Sequence, residues 1–153
     1  MGKINYGRVV LGGVVAGIVS TVLDGLSQVV LGPMVAETMK SLNKPMSISG
    51  PVIFGGILIE IVFGILAVWT YAAIRPRFNP GARTAAYAGL VMWACVALIN
   101  TVYTLNGIFS PRYTLYGALL GLVSSVVATI AGAALYKEEA TAEYPAAAPQ
   151  ATR

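Results

Sequence analysis

The stretch VVLGGVVAGIVSTVLDGLSQVVL, Val9 to Leu31, decides the fold. It is apolar from end to end and carries one charged residue, Asp24. An α-helix rises ~1.5 Å per residue, so about 20 apolar residues cross the ~30 Å hydrocarbon core of a bilayer. Three further runs have the same character. Val52–Ile74 contains Glu60 as its one charge, and Thr84–Leu105 and Tyr113–Tyr136 contain none. Backbone groups in hydrocarbon must be satisfied by their own segment or by a closed barrel, and four strands are too few to close one. The sequence therefore predicts an all-α integral membrane protein, a four-transmembrane-helix bundle.

Composition agrees. Of 153 residues, 57% are hydrophobic and 10% are charged, against about 25% charged in a typical soluble domain. The mean hydropathy is +0.76. There is no histidine, so no imidazole-ligated metal or haem and no Ser-His or Cys-His pair is expected within the chain. Cys95 is the lone cysteine and, set in an apolar run, reads as a small buried hydrophobe. No nucleophile, metal set or phosphate loop stands out, so neither an enzyme nor a cofactor is expected. The net charge is +4, but the basic residues come in ones and twos between apolar runs. That pattern writes membrane topology and does not imply nucleic acid.

The breaks between runs have mechanisms. Gly32-Pro33 is expected to stop the first span, and Ser49-Gly50-Pro51 to start the second with proline in the first turn. The outer loop 32–51 carries Val35, Met39 and Leu42 at helical spacing. It reads either as a short interfacial helix, apolar side down, or as a surface loop with one helical turn. Residues 1–137 form the membrane domain. The Ala/Pro-rich stretch 138–153 lacks a core-forming pattern and reads as a disordered cytoplasmic tail. Lys3, Arg8, Arg75, Arg77, Arg83, Lys137 and Arg153 fall on one side, and Lys40, Lys44 and Arg112 on the other. The bias predicts N-in/C-in, both termini cytoplasmic.

Each span carries a stripe of small or polar residues at spacings of three and four. Gly13, Gly17, Gly56, Gly64, Gly117 and Gly121 are the candidate packing positions, since in lipid it is close backbone approach and interhelical hydrogen bonding that join helices. Asp24, Glu60, Asn100 and Ser124 lie on the same stripes. Counted at ~1.5 Å per residue from the nearest inner-side basic residue, all four stand about 20–25 Å up, in one polar layer. No lysine or arginine lies within any span to pair with the two acids. Ionisable groups at such depth are costly and point to function. Two readings remain open for the layer: a proton or cation site, with the two carboxyls sharing protons, or hydrogen-bonded glue for the bundle. Trp93, near mid-span, reads as packing.

The opening Lys3-Ile4-Asn5-Tyr6-Gly7-Arg8-Val9-Val10 with Gly12-Gly13, and Tyr71-Ala72-Ala73-Ile74-Arg75-Pro76-Arg77-Phe78, resemble a group of small, uncharacterised bacterial membrane proteins. The resemblance spans roughly the first two runs and implies a multi-pass protein of the bacterial inner membrane. It brings no activity. Arg8, Arg75 and Arg77 sit in these segments as candidate inner-interface anchors. The expected partners are the lipid bilayer and either other membrane subunits or further copies of the chain. The sequence favours an accessory or structural subunit, with a homo-oligomeric proton- or cation-coupled transporter or channel as the alternative.

Overall fold

A computed structural model describes residues 3–46 and 48–138. They form four helices: α1 (Tyr6–Ser41), α2 (Gly50–Phe78), α3 (Ala82–Leu105) and α4 (Pro111–Ala133). All four are long and apolar enough to cross a membrane, and there is no strand among the described residues. In the bundle α1 packs against α2 and α4, and α3 against α4, with slighter contacts of α2 on α3 and α4. Among the described residues α1 and α3 do not touch and stand on the diagonal.

The helices outrun the apolar runs. Gly32-Pro33 does not stop α1, which continues through Pro33 to Ser41 as one helix of 36 residues. The expected separate interfacial helix of the 32–51 loop is therefore the last part of α1. One proline removes a single helical hydrogen bond, and the run Met34–Lys40 is made of residues that sustain a helix. The Thr38 hydroxyl donates back to the Met34 carbonyl at 3.0 Å. The true stop is Asn43, at φ 51. Its N–H donates to the Lys40 carbonyl and that of Lys44 to the Met39 carbonyl, at 3.1 and 3.0 Å, the paired bonds of a Schellman end. Gly107, at φ 74, ends α3 in the same way through bonds to Thr104 and Tyr103.

Differences elsewhere are smaller. α2 runs through Pro76 to Phe78, α3 begins at Ala82 after Gly81 at φ 140, and α4 begins at Pro111, capped by Ser110. α4 ends at Ala133, before Tyr136. Of the expected disordered tail, 139–153 lies outside the described residues. Glu138 is described and pairs with Arg75 at 3.1 Å.

Burial is lopsided. The buried residues of α2 and α4 lie in their C-terminal halves, those of α3 in its N-terminal half, and those of α1 mostly between Val9 and Gly17. These segments share one end of the bundle, which also holds the α2–α3 turn. There Val68 and Ala88 are fully buried, and Tyr71 meets Tyr136 edge to face at 5.9 Å. The Thr84 hydroxyl donates to the Asn79 carbonyl at 2.6 Å and locks the turn.

Glycine makes this end close. A methyl group on Gly17 would lie 2.5 Å from Ile61 Cα and 2.8 Å from the Glu60 carbonyl oxygen. Gly64 fits between Gly13 and Gly17 from the α2 side. A side chain added at Gly12 would lie 2.5 Å from the Gly132 carbonyl oxygen of α4, and one at Gly89 of α3 would lie 2.9 Å from the Ser125 carbonyl oxygen. Gly56 was expected to do the same and does not. It is exposed, and a side chain there would meet nothing within 4 Å, because α2 has left its neighbours at that height.

Gly17→Leu is expected to force α1 off α2 and cost at least about 1–3 kcal/mol, the usual cost of overpacking, while Gly56→Leu stays within about 0.5 kcal/mol of the wild type. Unfolding in detergent micelles measures both; equal tolerance at the two sites would refute the crossing.

Candidate functional site

Beyond the glycine crossings the helices part and enclose a cavity of about 190 Å³. Every helix contributes to it. α1 supplies Ala16, Ser20 and Asp24; α2 supplies Glu60, Phe63, Gly64 and Ala67; α3 supplies Met92, Trp93, Val96 and Asn100; α4 supplies Gly117, Gly121, Ser124 and Ala128 among others. Asp24, Glu60, Asn100 and Ser124 thus share one cavity. Their places follow from helical register. On antiparallel helices, residues at equal heights above the closed end come to one level, and the three-four spacing keeps each on the inward stripe.

The polar groups lie toward the open end and the floor is built of small residues. Along α1 the cavity runs from Ala16 to Asp24, and along α2 from Ala67 to Glu60. Ser20 links the elements. Its hydroxyl donates to Asp24 Oδ2 at 3.3 Å and stands 3.4 Å from the hydroxyl of Ser124, itself 3% exposed. Glu60 lines the same space from α2. The α3 wall is held from α4. The Trp93 indole N–H donates to the Ala118 carbonyl at 2.8 Å, and the Ser125 hydroxyl donates to the Gly89 carbonyl at 2.9 Å. Trp93 therefore packs, as expected, and lines the cavity as well.

Gly117 and Gly121 have a different part from the packing one expected of them. A side chain on Gly117 would meet nothing within 4 Å, and one on Gly121 would reach only the edge of Trp93 at 3.9 Å. They line the cavity, and their missing side chains leave it wide. Cys95 is exposed on the bundle surface, not buried. It lies two residues from Trp93, about 200° around the helix at 3.6 residues per turn.

Phe63 and Met92 were not singled out in the sequence. Phe63 follows Glu60 by three residues, and that spacing was the available signal. Met92 sits beside Trp93 in an unbroken apolar run that offers none. The three candidate anchors, Arg8, Arg75 and Arg77, lie toward the closed end. Arg75 pairs with Glu138 and sits 5.5 Å from the centre of the Tyr136 ring, so it ties α2 to the segment after α4. Arg8 and Arg77 are exposed.

No lysine or arginine lines the cavity, and among the described residues no three of His, Cys, Asp and Glu converge as a metal set. Two acids, the Asn100 amide and the hydroxyls of Ser20, Ser124, Ser125 and Thr129 line the cavity, and such groups can accept and donate hydrogen bonds, hold protons, or face a cation. No family model, curated protein or solved structure matches this chain.

Asp24→Asn and Glu60→Gln, which keep shape and hydrogen-bonding reach, are expected to unfold within about 1 kcal/mol of wild type. Asp24→Leu is expected to cost about 1–3 kcal/mol by stranding the Ser20 hydroxyl. Unfolding midpoints in one detergent compare the three; a leucine variant as stable as the asparagine one would show that Asp24 is not held by the cavity wall.

Proposed function

We propose that this chain is a multi-pass protein of the bacterial inner membrane that binds protons or a small cation at Asp24 and Glu60 and moves them across the bilayer. The observation that carries this is the cavity itself. Polar groups that serve only as glue close on one another and leave no room, because an unmet polar group in hydrocarbon is costly. Here the two acids and Asn100 line a space of about 190 Å³, with no basic side chain to balance them.

The basic-residue bias supports both termini in the cytoplasm, with Lys40, Lys44 and Arg112 outside. In that orientation the glycine-sealed end faces the cytoplasm and the carboxyls face outward. A sealed floor favours alternating access over a continuous pore. The glycine stripes are one of the features that fit an accessory subunit, together with small size and the lack of redox ligands. Gly12, Gly13, Gly17, Gly64, Gly89 and Gly132 are taken up by contacts within the chain, which leaves less of that surface for a partner.

Reconstituted in liposomes, the wild-type chain is expected to carry a proton or cation flux that Asp24→Asn and Glu60→Gln abolish while remaining folded. A folded protein without flux, copurifying with another membrane protein, would favour the subunit role instead.

Orientation is tested by single cysteines in a Cys95→Ala background. Pro45→Cys is expected to react with an impermeant maleimide from the periplasm, and Pro80→Cys only after the membrane is opened. Periplasmic labelling at position 80 would invert the topology.

A further inference from the structure

We infer that the cavity takes a small organic ammonium ion, its charged head at Asp24 and Glu60 and its apolar body against Trp93. This rests on the cation-site reading and narrows it to a chemical class. The cavity walls are chemically unequal. Ser20 and Asp24 on α1 and Glu60 on α2 give one wall oxygen. Across the diagonal, where α1 and α3 do not touch, α3 presents Met92, Trp93 and Val96, with Asn100 nearer the mouth.

The Trp93 N–H is already committed to the Ala118 carbonyl at 2.8 Å. The indole therefore offers a ligand its carbon surface and not a donor. Such a surface packs against the apolar body of an organic ammonium ion, and the Met92 thioether adds a soft, polarizable contact. Calcium and magnesium ask for six or more oxygen ligands around them, and here both carboxylates stand on the α1–α2 wall, with only the neutral oxygens of Asn100, Ser124, Ser125 and Thr129 on α3 and α4. Size agrees with charge. An apolar cavity of about 150 Å³ holds a benzene-sized molecule, so about 190 Å³ admits a body up to a phenyl ring, whereas a bare ion would leave most of the space unfilled.

The test uses the full chain in nanodiscs with Trp69→Phe. Trp69 is 45% exposed on the bundle surface, so its removal leaves Trp93 as the one indole reporter. Benzylammonium chloride is titrated against benzyl alcohol, its neutral isostere, and against sodium and potassium chloride. The expected result is a saturable change in Trp93 emission with benzylammonium alone. By calorimetry, Trp93→Leu is expected to weaken binding about tenfold, and Asp24→Asn with Glu60→Gln by about tenfold or more. Equal binding of benzyl alcohol would overturn the assignment as apolar adsorption. A response to sodium or potassium with none to benzylammonium would overturn it and leave the cation site standing. Silence toward every probe, in a protein that also shows no flux, would bring down both.

Discussion

Everything in this bundle hangs on the contact of backbone with backbone where Gly64 of α2 sits between Gly13 and Gly17 of α1. In a bilayer the lipid tails compete evenly with apolar side chains, so burial alone does not hold helices together. Close approach does, because it gathers many dispersion contacts and weak Cα–H···O bonds into a small area. Gly12 with Gly132 and Gly89 with the Ser125 backbone repeat the device on the other two large interfaces. All of these contacts lie toward one end. Helices pinned together at one end and free of glycine contact at the other must diverge, and the cavity occupies the place where divergence begins.

The four long apolar helices were legible from the lengths of the apolar runs, and the polar residues that line their cavity from the register they share. Asp24 and Glu60 interrupt apolar runs, and counting residues from the basic termini put them at one height with Asn100 and Ser124. Helix ends were harder to read. Pro33 looks like a stop, but a proline forfeits one bond whereas Asn43 completes a two-bond terminal motif, and the second feature ended the helix. Glycine was legible as a residue and not as a role. Gly17 and Gly117 stand in the same small-xxx-small pattern, yet one admits a neighbouring backbone and the other leaves a void. The sequence records only that a side chain is missing, and the tertiary path decides what fills its place. Cys95 was misplaced for a related reason, since a uniformly apolar run does not say which face meets lipid.

The hydroxyl of Ser20 joins the two sets of contacts. It lies one helical turn beyond Gly17, the last close glycine contact of α1, and it reaches both Asp24 and Ser124. The side chain that begins the polar layer is thus set by the crossing that ends the sealed half. Small residues position α1, and their placement fixes where its carboxyl stands.

The length of α1 has a mechanical side. Its 36 residues make a rod of about 54 Å, well beyond the ~30 Å that lipid tails require. Gly17 acts as its fulcrum, and the tip at Ser41 lies about 36 Å away along the axis. A tilt of about 10° at the fulcrum would carry the tip roughly 6 Å sideways at that arm length. A helix that tilted as one piece would turn a change in cavity width into a larger displacement at its Ser41 tip. A helix break at Pro33 would have absorbed such a tilt; a helix continuous to Ser41 would carry it to its far tip.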